Sequence, residues 1–159
     1  MQATTLPAAY EIRAATTGDI DDLFLVRAST RENAIAPGRL AELGITPAAL
    51  HETMLAGTSV TWVCQTDGQV VAFCSVQPSS GEVTVLAVRA GHERRGIGRE
   101  LLAAAVDCLR ASGCRRIWLA ASLDPRLRSH GFYRANGWRP TGRLVGHGDE
   151  ELELDGSLN

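Results

Sequence analysis

The sequence predicts an α/β protein of the α+β type: a mixed, mostly antiparallel central sheet of six to seven strands with helices on both faces. Three observations carry this. "VTWVCQTDGQVVAFCSV" reads as a hairpin around Asp67-Gly68, and "EVTVLAV" follows as a third consecutive strand, so this part of the sheet is antiparallel. "EVTVLAV", an amphipathic run and "RRIWLAAS" form one βαβ unit, which demands a parallel pair. The chain has 159 residues, 45% of them hydrophobic, with no internal repeat and no linker, which suits a single domain over 1–159 with its core in 10–145.

Each element has its own signal. "EIRAAT" alternates as a short strand. In "TTGDIDDLFLVRAST", Thr16 with Asp19 three positions on can cap a helix, and Ile20, Leu23, Phe24 and Arg27 share one face. "ENAIAPGRLAELG" is broken by Pro37 and Gly38. "ITPAALHETMLAG" starts again with Thr46 as cap and Pro47 in the first turn, and Gly57 closes it. The two-residue turn pairs Gln65 with Val70, Cys64 with Val71 and Trp62 with Phe73, which puts Cys64 and Cys74 on opposite faces. "RELLAAAVDCLRASG" buries Leu101, Leu102, Ala105, Val106 and Leu109 and ends at Gly113. "RRIWLAAS" is apolar enough for an interior strand. "RLRSHGFYRANG" is a second helix, and "WRPTGRLV" and "EELELDG" supply two last strands. The expected order is β-α-α-β-β-β-α-β-α-β-β.

Composition excludes several chemistries. There is no lysine among the 16 basic residues, which removes Schiff-base catalysis and the lysine of a phosphate-binding Walker loop. The four cysteines form no Cys-x-x-Cys pair, and no His/Cys/Asp cluster has metal-ligand spacing, so no metal is expected. No apolar run is long enough for a bilayer, and "MQATTLPAAYEIR" has neither a basic nor an apolar leader segment, so a cytoplasmic location without membrane partners is expected. The net charge of −2 hides an asymmetry: Arg89 to Arg143 holds 12 arginines against 4 acids, and the remainder holds 4 arginines against 14. One half therefore suits an anionic ligand. The arginines are dispersed and no recognition helix or aromatic stripe accompanies them, so nucleic acid is not the expected partner.

"HERRGIGREL" concentrates that charge. The loop leaves a strand's C-terminal end and opens a helix, whose first turn offers unpaired N–H groups and a partial positive charge. Gly96 and Gly98 lack Cβ atoms, so a phosphate can approach the backbone, and Arg94, Arg95 and Arg99 surround it. A dinucleotide loop would carry a third glycine or alanine, where this chain has Leu101, and would follow a first strand. A tight turn without a ligand is the plain alternative.

Two stretches resemble the GCN5-related N-acetyltransferase (GNAT) family. "LAVRAGHERRGIGRELL" looks like its acyl-CoA-binding motif, Q/R-x-x-G-x-G/A after a strand. "RLRSHGFYRANGW" looks like its second motif, a helix carrying Phe-Tyr and ending at Gly-Trp. Glu93 stands at the Q/R position, where a carboxylate must turn outward or pair with Arg94 or Arg95. Arg126 stands seven residues before the tyrosine, where the family often has an asparagine on the pantetheine arm.

The resemblance implies acetyl-CoA as co-substrate, lying between strands that part at their C-terminal ends. Leu86, Ala87 and Val88 would pair with the pantetheine arm, the N–H of Val88 would face the thioester oxygen, and Arg94, Arg95, Gly96, Ile97, Gly98, Arg99 and Arg128 would complete the cofactor site. It implies direct transfer of acetyl to a small-molecule or peptide amine, with Tyr133 as the acid that protonates the leaving thiolate. Glu82 is the candidate base: it lies six residues before Val88 and so shares its side of the strand by period 2. Glu32 and His51 are the next candidates. Arg27, Arg31, Glu32 and Asn33 would meet the acceptor: an arginine suits a carboxylate, and Glu32 a cationic amine. The competing function is a non-catalytic acyl-CoA-binding or regulatory module on the same fold. The family often dimerises, so a homodimer is the oligomer that analogy suggests.

Overall fold

The computed structural model describes residues 6–154. Strand β1 (Glu11–Ala14) leads through a 3-10 turn (Thr17–Asp19) into helices α1 (Ile20–Ala28), α2 (Pro37–Glu42) and α3 (Pro47–Ala56). A meander follows: β2 (Val60–Thr66), β3 (Gln69–Gln77) and β4 (Glu82–Val88). Then come α4 (Ile97–Ala111), β5 (Trp118–Ala121), α5 (Arg128–Ala135), β6 (Trp138–Val145) and β7 (Asp149–Leu154). The seven strands form one sheet in the order β1-β2-β3-β4-β5-β7-β6, antiparallel except for β4 with β5. Asp155 and Gly156 of the expected last strand lie outside the described residues.

Local chemistry accounts for most elements. Asp19 accepts the Thr16 N–H at 2.8 Å and opens the first helical turn. Pro37, expected to break the chain's helical pattern, instead occupies the first turn of α2, where its missing N–H costs nothing. Thr46 accepts the Ala49 N–H at 3.1 Å, and Gly57 ends α3 with φ 76°. Asp67 and Gly68 turn the hairpin with φ 51° and 73°, both left-handed as a two-residue turn of this kind needs.

Helix α4 buries Ile97, Leu101, Leu102, Ala105, Val106 and Leu109 against one face of the sheet, beside Cys74, Val76, Val83 and Leu119. Each large side chain there contributes roughly 1.5–3 kcal/mol. Helix α1 covers the other face, with Leu23 and Val26 against Val63, Phe73 and Ala87.

Two bulges correct the strand registers. Gln65 faces Val70 as expected, but Cys64 faces Ala72, Val63 faces Phe73 and Trp62 faces Cys74. Val71 is the extra residue. One inserted residue reverses the parity of everything beyond it, so Cys64 and Cys74 share the α4 face rather than opposing each other. Both are free thiols. The second bulge is in β4: Val85 pairs with Ser75 and Val83 with Val76, which leaves Thr84 unpaired.

Candidate active site

The β4 bulge also shapes the site. The two parallel strands meet in register only at Glu82 and Trp118, where Trp118 donates its N–H to the Gly81 carbonyl at 3.1 Å. Thr84 follows at once, and a bulged strand bends away from its neighbour. Beyond it, β4 and β5 part and open a cleft of about 1120 Å³. Leu86 and Val88 line one wall, Leu119 and Ala121 the other, and the glycine loop and α5 close its ends.

The wall of β4 has spare backbone groups. Arg89 donates its N–H to the Val71 carbonyl at 2.8 Å, which makes that facing pair a hydrogen-bonded one. Such pairs alternate in an antiparallel ladder, so Ala87 is committed to Phe73, whereas Leu86 turns its N–H and C=O and Val88 its N–H toward the cleft; just beyond, the Thr30–Arg89 bridge covers this edge of β4. Ala87 borders the cleft but its backbone polar groups face β3.

The loop ahead of α4 is held in an unusual conformation. Arg94 has φ 61° and Gly96 φ 81°, both left-handed. For a non-glycine residue this costs roughly 1–2 kcal/mol, and such strain clusters where backbone groups are aimed at a ligand. Among the described residues, the N–H groups of Arg94, Gly96, Ile97 and Gly98 show no hydrogen bond within the protein, whereas the Arg95 N–H closes a turn begun at His92. A Cβ on Gly98 would sit 3.5 Å from Cζ of Phe132, so the start of α4 is packed on α5.

Side chains around the loop do not all face inward. Arg94 and Arg99 line the cleft. Arg95 does not: its guanidinium lies 6.0 Å from the centre of the Tyr10 ring, and the Tyr10 hydroxyl bonds Nδ1 of His92 at 2.9 Å. Glu93 pairs with neither Arg94 nor Arg95. Its carboxylate accepts from Arg31 Nε at 3.0 Å and the Gly91 N–H at 2.8 Å, and lies 3.7 Å from Arg128. Partial desolvation opposes them, but the bonds from Arg31 and Gly91 hold Glu93 below its ordinary pKa. Glu32 accepts the Arg128 N–H at 3.0 Å, at the start of α5. Arg126 is 88% exposed and paired with Asp124, outside the cleft lining.

Tyr133 reaches the cleft from α5, edge-on to Phe132 at 5.3 Å and to Trp138 at 6.1 Å. Its hydroxyl makes no hydrogen bond among the described residues. Burial, with Cys74 adding to it and Arg27 opposing, raises its pKa well above the ordinary phenol value. Arg27 and Asn33 also line the cleft, joined by an Arg27 bond to the Asn33 carbonyl at 3.2 Å.

Glu82 is not brought into this group. It sits where β4 and β5 are still joined, outside the cleft lining, and the bulge at Thr84 puts it on the face opposite Val88. Burial raises its pKa. His51, on α3, is also outside the lining. Several lining residues had no signal in the sequence, among them Thr30 and Thr84, Ser122 and Ser129 on the β5 and α5 side, and Asp149 from the last hairpin. Among the described residues, no group of three or more His, Cys, Asp or Glu side chains could hold a metal, and no helix is long and apolar enough to cross a membrane.

Comparison with known proteins agrees with this architecture. A mycothiol acetyltransferase from Beutenbergia cavernae is 32% identical over 87 residues; the match takes in 52% of this chain, which spans only 29% of that protein's length. The PaiA N-acetyltransferase of Thermoplasma acidophilum, solved in complex with coenzyme A, superposes with a TM-score of 0.77 at 16% identity, covering 92% of this chain and 98% of that one. A GNAT-family acetyltransferase from Staphylococcus aureus superposes with a TM-score of 0.73 at 15% identity, over 92% and 98% of the two chains. The model of the acetyltransferase (GNAT) family matches residues 27–138, the span that contains the meander, the glycine loop, the parted strands and α5, and the chain therefore belongs to that family.

Proposed function

We propose that this chain transfers an acetyl group from acetyl-CoA to a primary amine by direct attack, without a covalent enzyme intermediate. The observation that carries this reading is the union of parted strands with a glycine loop whose N–H groups, that of Arg95 aside, show no hydrogen bond within the protein among the described residues. The residues fit the co-substrate. Unpaired amides at Arg94 and from Gly96 to Gly98 suit a diphosphate, with Arg94, Arg99 and Arg128 adding charge. Leu86 and Val88 offer their backbone groups to the pantetheine arm as an added strand would take them. Acetyl-CoA supplies a thioester that is already activated for attack.

The protein's own groups then have two tasks. The Val88 N–H is aimed at the oxygen that gains charge as the amine attacks. Tyr133 keeps its proton in a part-buried site and donates it to the departing sulfur. The ammonium of the acceptor must first lose a proton. With Glu82 at the closed end of the strands, we assign that proton to water in the open cleft.

The test is release of free thiol from acetyl-CoA across small amines, amino acids and peptides, with wild type and Tyr133→Phe in parallel. Turnover in the wild type, lost in the variant while coenzyme A still binds, is expected. Coenzyme A binding with no turnover on any amine would instead identify a binding module.

A further inference from the structure

We infer that the acceptor amine also carries a carboxylate, and that Arg27 receives it. This rests on the transferase reading above and narrows its substrate to small amino-acid-like amines.

The argument starts from which charges in the cleft are already matched. Arg31 and Arg128 share the carboxylate of Glu93 at 3.0 and 3.7 Å. Glu32 accepts the Arg128 N–H at 3.0 Å, where the N-terminus of α5 offsets part of its charge. Arg94 and Arg99 flank the amides suited to the cofactor's diphosphate. Arg27 stands apart. It lies in the last turn of α1, partly buried, and lines the cleft. Its guanidinium makes one bond among the described residues, from one terminal nitrogen to the Asn33 carbonyl at 3.2 Å, and no carboxylate is within ion-pair distance. A guanidinium presents five donors in a fork that matches a carboxylate. Desolvation lowers the Arg27 pKa, so its charge is held away from water without an ion pair to offset the cost.

Place decides which ligand matches it. Arg27 and Tyr133 both line the cleft, and the charge of Arg27 is felt at the phenol. An anion at Arg27 therefore shares the cleft with the phenol assigned to the departing sulfur, and the cofactor's phosphates belong at the glycine loop. The remaining anion at the reacting centre is the acceptor's own. A polyamine would leave Arg27 without an anion, whatever Glu32 and Asp149 offered its ammonium groups. A peptide N-terminus would put a neutral amide where the guanidinium needs a charge.

The experiment pairs turnover with binding. Amino acids, their carboxamides and the corresponding decarboxylated amines are compared as acceptors, and N-acetyl amino acids and their amides are titrated into the coenzyme A complex by calorimetry. In the wild type the acid forms are expected to exceed the amides by about ten- to a hundredfold in kcat/KM and in affinity, the scale of a charged hydrogen-bonded pair. Arg27→Gln should bring acid and amide level, Arg27→Lys should restore part of the gap, and coenzyme A affinity should not change in either. Equal use of acids and amides by the wild type, or preference for decarboxylated amines, overturns the inference. Preferential binding of the N-acetyl acids without turnover of any amine leaves Arg27 as an anion site and sinks the transferase reading instead.

Discussion

The carboxylate of Glu93 takes a hydrogen bond from Arg31 Nε at 3.0 Å, across 62 positions of sequence, so the acidic residue of the glycine loop is tied to the segment after α1. The same carboxylate lies 3.7 Å from Arg128 on α5 and caps the Gly91 N–H. One side chain thus joins the loop, the segment after α1 and α5 in the lining of the cleft.

Glu93→Gln keeps the shape of this junction and removes its charge. Coenzyme A should bind about three- to tenfold more tightly, because a negative charge no longer opposes the diphosphate and two arginines are released toward it. Calorimetric titration at two salt concentrations checks this; the gain should shrink as salt screens the charges. Unchanged or weaker binding would mean that the carboxylate points away from the diphosphate.

Tyr133→Phe should lower kcat roughly a hundredfold or more while leaving coenzyme A affinity nearly unchanged. The pH dependence follows from the direction of the shift. The protonated phenol is neutral, so desolvation favours it, and Tyr133 keeps its proton past the ordinary value near ~10. Wild-type kcat should therefore show no alkaline fall below about pH 10 that disappears in the variant. Glu82→Gln, outside the cleft, should change kcat by no more than about twofold.

Two glycines should respond oppositely to alanine. At Gly81, φ is 76° and a Cβ would lie 2.1 Å from the Arg116 carbonyl oxygen, a backbone atom that cannot swing aside. Gly81→Ala should cost roughly 2–5 kcal/mol and disturb the single point where β4 and β5 join. At Gly98 the new Cβ would meet Phe132 at an ordinary 3.5 Å inside a helix, so Gly98→Ala should be neutral or stabilise by up to about 1 kcal/mol. Urea midpoints of the two variants separate these outcomes.

Asp19 is buried and accepts from both terminal nitrogens of Arg13, at 2.8 and 2.9 Å, and from the Thr16 N–H. Asp19→Asn should cost about 2 kcal/mol. The Arg13 bonds, against desolvation, depress the Asp19 pKa. The stability it contributes is then complete above the unfolded value near ~3.9 and is lost as pH falls through the lower folded value. Thermal melts between neutral and strongly acidic pH should show the wild-type advantage over Asp19→Asn narrowing only in that acidic range.

Burial pushes the Cys74 thiol up to about 12 and the Cys64 thiol up to about 11. Both stay protonated, enclosed and unreactive in the folded protein. Brief iodoacetamide treatment at pH 8, read by mass spectrometry, should modify only Cys108 and Cys114 until denaturant is added. Labelling of Cys74 in the native protein would show that the floor beneath α4 opens.

Much of the framework was written locally. The Asp67-Gly68 turn, the Thr46 cap with Pro47 and Gly57, the buried stripe of α4 and the Phe132-Tyr133 helix each depend on residues within one or two turns of one another, so spacing alone determines them. The glycine loop's place between a strand end and a helix start, and hence its unpaired amides, followed from the same short-range pattern. Tertiary structure decided what crosses that range. Bulges at Val71 and Thr84 move one residue each, yet they put both buried thiols on one face, carry Glu82 away from Val88 and part the parallel strands. No periodicity announces an unpaired residue, because its position is set by how neighbouring strands and helices pack. Charge pairing behaves likewise: Glu93 had adjacent arginines in sequence but met Arg31 and Arg128 in space, while Arg27 makes no ion pair among the described residues. Short-range bonding and side-chain period belong to the chain, whereas register and ion pairing are chosen by the assembled sheet.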